Sequence, residues 1–214
     1  MIDTILFDLD GTLVDSADDI IDCLSRAYAA RLAESSIAIH KSFIGPPLRD
    51  IIRLIKPELD ENGVDGVIQE FRSCYDAGRM ERTVCKEGAR DALSFLSLRK
   101  KTLFLVTNKP RRPTDIIINN LKISVFCDII TPDMRPGSHL SKPEMISHVK
   151  KKWNLSADKT MMVGDTASDA FAARDNGIMS AIVLNGYGDR ASIRNSGPDH
   201  ILDSLAALKN IVVD

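Results

Sequence analysis

The sequence predicts an α/β fold: a doubly wound parallel sheet that carries an inserted, all-helical cap. Three observations predict it. Short apolar runs of strand length alternate with helical stretches from residue 89 onward, which implies parallel strands with helices on both faces. The first such run, Thr4-Ile5-Leu6-Phe7, is separated from the second by residues 11–101, whereas a whole βαβ unit needs only about 30 residues. Nothing in residues 16–82 reads as a strand; the excess is helical. A Rossmann-like core of residues 1–14 and 86–214, with a cap of residues 15–85 hinged near Val14-Asp15 and Lys86-Glu87-Gly88, accounts for all three.

The first strand is apolar at every position and stops at Asp8-Leu9-Asp10-Gly11-Thr12, the pattern of a strand buried on both faces and ended by a turn. Ser16 with Asp19 three residues on resembles an N-terminal cap. Ile20, Leu24, Ala27 and Tyr28 then recur at helical spacing, predicting a helix over 17–31. A break is expected around Ser35-Ser36. Phe43-Ile44-Gly45-Pro46-Pro47 is a rigid turn, because proline fixes φ and glycine frees it. Helices follow over 48–55, ended by Pro57, and 64–75. Further strands are expected at 102–107, 128–131, 160–164, 180–184 and 200–202. Helices are expected at 89–98, 113–121, 143–153, 168–176 and 205–211.

With 214 residues, 44% apolar and 27% charged, the chain has the composition of an ordinary globular protein. A net charge of −2 argues against a general nucleic-acid or anionic-membrane surface. Lys150-Lys151-Lys152 and Arg111-Arg112 read as solvated helix ends. Four scattered cysteines, Cys23, Cys74, Cys85 and Cys127, suit free thiols in a reducing compartment rather than a disulfide framework or a zinc site. No stretch reaches membrane-spanning length, and the N-terminus lacks the basic region of a signal peptide. A cytoplasmic location, as monomer or homodimer, is the expectation.

In a doubly wound sheet the carboxyl ends of the strands line one edge, where ligands bind. Asp8 and Asp10 end the first strand, on one side of an extended backbone and roughly 6–7 Å apart at their α-carbons. Thr107-Asn108-Lys109-Pro110 ends the second, Gly164-Asp165-Thr166-Ala167-Ser168-Asp169 the fourth, and Ser141-Lys142-Pro143 lies in the loop before a helix. Taken singly, each has an ordinary structural reading: a solvated turn, a strand-to-loop transition, an exposed lysine, an acidic first turn complementing a helix dipole. Taken together they gather four carboxylates, a hydroxyl, an amide and an ammonium on one edge. Four clustered carboxylates need a cation, and an all-oxygen donor set without nearby His or Cys points to Mg²⁺. Thr107, Asn108 and Lys142 suit a phosphate. A carboxylate, a metal and phosphate donors describe phosphoryl transfer through an aspartyl-phosphate.

These motifs, in this order and spanning nearly the whole chain, resemble the four motifs of the haloacid dehalogenase superfamily. The helical insertion and Gly186-Tyr187-Gly188 resemble its phosphoglycolate-phosphatase-like branch. The resemblance implies that Asp8 is the nucleophile and that Asp10 protonates the leaving oxygen, then deprotonates water. It implies that Asp8, the backbone carbonyl of Asp10, and Asp165 hold Mg²⁺, with Asp169 supporting directly or through water. Thr107 and Lys142 would bind the phosphoryl oxygens, and Lys142 would also offset the charge of Asp8. The dehalogenating members lack an acid where Asp10 stands, so the resemblance favours phosphate esters over carbon–halogen bonds. Gly45-Pro46-Pro47-Leu48 resembles a substrate-facing cap loop of phosphoglycolate phosphatases and related 5′-nucleotidases. Arg49 and Arg53, one turn apart, read either as partners of a substrate anion or as an exposed amphipathic face. One departure is visible: Cys85-Lys86-Glu87-Gly88 stands where relatives often carry an aromatic-Pro-Gly turn.

The expected function is therefore a Mg²⁺-dependent phosphatase acting on a small phosphorylated metabolite. The rivals within the class are a 5′-nucleotidase, a pyrophosphatase and a β-phosphoglucomutase-like phosphotransferase. A receiver-like signalling domain would place its phosphorylated Asp on an interior strand and lack the insertion. A non-catalytic binding protein would tend to have lost one of the carboxylates.

Overall fold

The computed structural model describes residues 1–32, 37–134, 137 and 139–212; the break expected at Ser35-Ser36 lies outside them. In chain order the strands are β1 (Thr4–Phe7), β2 (Val14–Asp15), β3 (Val84–Cys85), β4 (Thr102–Val106), β5 (Asp128–Ile130), β6 (Thr160–Gly164), β7 (Met179–Val183) and β8 (His200–Leu202). The helices are α1 (Ala17–Leu32), α2 (Leu48–Ile55), α3 (Glu61–Tyr75), α4 (Ala89–Leu98), α5 (Arg111–Leu121), α6 (Lys142–Lys152), α7 (Ala167–Asp175) and α8 (Arg190–Ser196).

Six strands form one parallel sheet in the order β5-β4-β1-β6-β7-β8. The first strand is therefore central, and the winding reverses between β1 and β6, where an open α/β sheet has its ligand crevice. Successive residues of β1 face opposite sides. Ile5 and Phe7 pack with Leu103, Leu105, Met161 and Val163 under α4 and α5. Leu6 packs with Phe104, Val106 and Met162 under Met145 and Val149 of α6 and Ala173 of α7. Burial on both faces is the physical reason for the unbroken apolar runs.

β2 and β3 pair antiparallel, Val14 with Cys85 and Asp15 with Val84, so the chain leaves and re-enters the sheet at one narrow neck. Lys86 closes that neck by donating its backbone N–H to the Leu13 carbonyl at 2.9 Å. Gly88, at φ +77°, starts α4 in a left-handed turn, with the Ala206 amide 3.2 Å from where a Cβ would stand. Between β2 and β3 the described chain is helical. Val64, Val67, Phe71 and Tyr75 of α3 form a buried stripe at spacings of three and four, set against Ile20, Leu24 and Tyr28 of α1. The α3 helix starts three residues earlier than its apolar pattern because the Asp60 carboxylate accepts the Gly63 amide at 2.8 Å.

Two expectations need correction. Cys23 and Cys74 form a disulfide between α1 and α3, with α-carbons 5.6 Å apart. They are 51 residues apart in sequence, so only the packing of the two helices shows that they face each other. The disulfide also removes the cysteine pattern as support for a reducing compartment. Residues 205–210 form a 3₁₀ helix rather than an α-helix, burying Leu205 and Leu208, which eclipse one another at three residues per turn. Helix α8 was not foreseen in the sequence. Among the described residues no helix is long and apolar enough to cross a membrane.

Candidate active site

The carboxyl ends of β1 and β6 bring Asp8 and Asp165 to the winding reversal, and the first turn of α7 adds Asp169. One carboxylate oxygen from each lies within 4.8 Å of the others, and all three residues are buried. Their positions follow from local structure. The Asp8 amide donates to the Val163 carbonyl at 2.9 Å, locking the end of β1 to β6. Asp169 forms a capping box with Thr166, accepting its amide at 3.0 Å and its hydroxyl at 2.7 Å. Asp169 therefore both caps the start of α7 and stands in the acidic trio.

Asp165 sits in a pocket of backbone. A Cβ on Gly11, at φ +82°, would stand 2.2 Å from its Oδ2, and one on Gly186 would stand 2.2 Å from its Cβ. Thr12 donates its hydroxyl to Oδ1 at 3.1 Å, and the Tyr187 amide donates to Oδ2 at 2.7 Å.

Lys142 begins α6 behind the Ser141–Glu144 capping box. Its ammonium donates to Asp8 Oδ1 at 2.8 Å and Asp169 Oδ1 at 2.6 Å. Burial alone would push this lysine down, but Asp169 and Asp8 outweigh it and hold the ammonium above its ordinary range. Burial, with Asp169 and Asp165 adding repulsion, raises Asp8 well above the usual carboxylate value despite Lys142. Burial and then Asp169 push Asp165 up to about 7. With all three carboxyls ionised, one ammonium would leave two negative charges in this buried pocket, the charge that one divalent cation balances.

The Asp10 side chain lies apart from this trio. It accepts a hydrogen bond from the Ser16 hydroxyl and pairs with Lys109, Nζ to Oδ2 3.1 Å. Lys109 is buried, donates to the Tyr75 hydroxyl of α3 at 2.8 Å, and lies 4.6 Å from that ring's centroid. Burial would lower it, but Asp10 and Tyr75 keep it charged above its ordinary range. Serine at position 16 was expected to cap α1. Its hydroxyl instead serves Asp10, and the Ser16 and Ala17 amides donate to the Tyr187 hydroxyl at 2.8 and 3.0 Å.

A cavity of about 760 Å³ opens above these groups, lined by Asp8, Asp10, Thr107, Asn108 and Lys109 from the sheet side and by Tyr75 from α3. Thr107 is buried, its Oγ accepting the Lys109 amide at 3.2 Å. The Asn108 amide donates to the Gly45 carbonyl at 2.9 Å, tying the 45–47 turn to the end of β4. Arg49 also lines the cavity, but its guanidinium pairs with Glu61 at 2.9 Å and with Asp65. Arg53 pairs with Glu61, so both arginines bind α2 to α3. Lys109 and Tyr75 were given no site role by sequence, and Gly186-Tyr187-Gly188 was read only as a mark of resemblance, with no contact assigned to Tyr187. Lys109 follows Thr107-Asn108 directly at a strand end, the one signal that could have flagged it.

Fold and site define an α/β enzyme with an acidic centre at the carboxyl edge of its sheet. The chain belongs to the haloacid dehalogenase-like hydrolase family, whose model matches residues 5–183. It is 30% identical to a phosphoglycolate phosphatase of Pseudomonas fluorescens, over 95% of this chain and 77% of that one. It is 28% identical to a 5′-nucleotidase of Pseudomonas aeruginosa, over 97% of this chain and 94% of the other. The crystal structure of a predicted phosphatase from Clostridium acetobutylicum superposes with a TM-score of 0.89 at 27% identity, covering 99% of each chain.

Proposed function

We propose that this protein is a Mg²⁺-dependent phosphatase that hydrolyses a small phosphorylated metabolite through an aspartyl-phosphate on Asp8, in the manner of a phosphoglycolate phosphatase. The observation that carries this is the trio Asp8, Asp165 and Asp169 around Lys142, with Asp10 two residues beyond Asp8 on the same cavity wall. Asp8, Asp165 and Asp169, with the backbone carbonyl of Asp10, would hold the ion; bound there, it would neutralise the charge of the phosphoryl oxygens.

Residues 1–14 and 86–214 then act as the catalytic core, and residues 15–85 as a cap that shields the cavity from water. An Asp8 oxygen attacks phosphorus while the bond to the leaving oxygen breaks. Asp10 delivers a proton to that oxygen, and the alcohol departs. Water then attacks the phosphorus of the acyl phosphate, Asp10 takes its proton, and phosphate leaves Asp8 free again. Thr107 and Lys142 hold the phosphoryl oxygens. Lys109 and Ser16 orient the Asp10 carboxyl.

The test is a panel of phosphate esters with and without Mg²⁺, read as free phosphate. Release from 2-phosphoglycolate or a similarly small ester, lost on chelation, is expected. No release from any ester, or transfer between sugar hydroxyls without release, would contradict the reading. A second reading, 5′-nucleotidase, is favoured by the cavity. Its 760 Å³ and the stacked Phe71–Tyr75 pair, 5.0 Å between centroids, exceed what a two-carbon leaving group fills. Preferred release from nucleoside 5′-monophosphates would select it. Pyrophosphate belongs in the same panel.

The raised carboxyls also give a pH signature. Asp165 binds its proton more tightly folded than unfolded, so its stabilising contribution to the metal-free protein is full below about pH 4 and lost as the pH rises through about 7. A cation needs the ionised form and reverses this loss. Saturating Mg²⁺ should therefore raise the melting temperature more at pH 8 than at pH 5. Equal gains at both values would contradict the assigned ligands.

A further inference from the structure

Tyr187 touches both the acidic trio and the neck of the helical segment. Its backbone N–H donates to Asp165 Oδ2 at 2.7 Å. Its hydroxyl, at the far end of a buried ring, accepts the amides of Ser16 at 2.8 Å and Ala17 at 3.0 Å, and donates to Asp15 Oδ1 at 2.7 Å. A phenol offers one donor and two acceptor sites, and all three are used here.

The flanking glycines make this connection stiff. A Cβ on Gly188 would stand 2.1 Å from the Asp165 carbonyl oxygen, and one on Gly186 would overlap the Asp165 side chain. Backbone here lies directly against Asp165 with no side chain between, so a shift of that carboxylate must move the 186–188 turn with it. The other end of the ring grips β2 and the first turn of α1, through which the chain enters its helical segment. Neither the proposed mechanism nor core packing requires a hydroxyl at this point.

We propose that Tyr187 is a positioning residue that couples cation occupancy at Asp165 to the order of the neck formed by β2, β3 and the start of α1. The coupling rests on the reading of Asp8, Asp165 and Asp169 as cation ligands. A cation that fixes Asp165 fixes the 186–188 turn, and the hydroxyl then holds the Ser16 and Ala17 amides for a larger fraction of time. Coupling of this kind is reciprocal: an ordered neck also favours the bound cation.

The test is amide hydrogen exchange on the full-length protein with Mg²⁺ alone as the probe, alongside calorimetric titration of Mg²⁺. In the wild type, Mg²⁺ should slow exchange in peptides covering residues 15–18 and 84–86 by about fivefold, the worth of one strengthened hydrogen bond. Tyr187→Phe keeps the amide that holds Asp165 and loses only the hydroxyl. It should bind Mg²⁺ within about threefold of wild type, yet lose the Mg²⁺-dependent slowing. Asp15→Ala, which removes the acceptor on the neck side, should lose it as well.

A purely structural tyrosine gives a different result. Exchange in Tyr187→Phe would be faster with and without Mg²⁺, while the Mg²⁺ effect persisted; that outcome overturns the coupling. Mg²⁺ that binds the wild type without slowing the neck also overturns the coupling, and leaves the cation site standing. Absence of Mg²⁺ binding to the wild type overturns both.

Discussion

Asp8→Asn is expected to reduce phosphate release from any ester by roughly 10⁴-fold or more, since an amide lacks the carboxylate oxygen that forms the acyl phosphate. The fold should survive. Asp8 is a buried carboxylate whose ionisation is opposed first by burial and then, Lys142 aside, by Asp169 and Asp165. A neutral amide of the same shape removes that repulsion and still offers Lys142 an oxygen. The metal-free variant should therefore melt at or above the wild-type temperature at pH 8, and bind Mg²⁺ more weakly. Circular dichroism melting and a phosphate-release assay on the same preparation check both halves. Retained turnover would refute Asp8 as nucleophile, whatever the stability.

Lys142→Met is expected to damage activity and stability together. Its ammonium is the only cation that the described structure places between Asp8 and Asp169, at 2.8 and 2.6 Å. Methionine fills a similar volume but leaves two buried carboxylates facing each other. Removing one partner of a buried ion pair costs about 3–5 kcal/mol, and this lysine serves two. The loss should be largest near pH 8 and smaller at lower pH, where Asp8, raised well above the usual carboxylate range by burial, takes up a proton more readily. Urea midpoints near pH 8 and near pH 5, without Mg²⁺, measure the difference. Equal midpoints for variant and wild type at pH 8 would show that the ammonium does not carry the charge balance assigned to it.

The sheet was legible because burial on both faces forces strands such as Thr4–Phe7 and Thr160–Gly164 to be apolar at every position. Asp8, Thr107 and Asp165 were legible because each directly follows such a run, and chain order alone then puts them on one edge. What stayed hidden depends on packing between distant segments. No local pattern pairs Cys23 with Cys74, and none shows that the hydroxyl of Tyr187 lies against Ser16, 171 residues away. Nothing local marks Lys109 for burial, since solvation is the usual fate of a lysine after a strand; its burial depends on Asp10 and Tyr75 arriving from other elements. Arg49 illustrates the opposite case. Its position on the cavity wall was anticipated, but Glu61 and Asp65, one turn apart on α3, already engage its guanidinium. Helix α8 carried a readable signal that went unused, Asp189 capping Ser192 at its start and Gly197 in a left-handed turn at its end.

The central claim is that the phosphoryl group passes through the side chain of Asp8. Rapid acid quench during turnover, followed by borohydride reduction, converts an aspartyl phosphate to the corresponding alcohol, which peptide mass spectrometry locates by residue. The account predicts homoserine at position 8 of the wild type, dependent on substrate. Reduction at another aspartate, or none while substrate is being consumed, would contradict it.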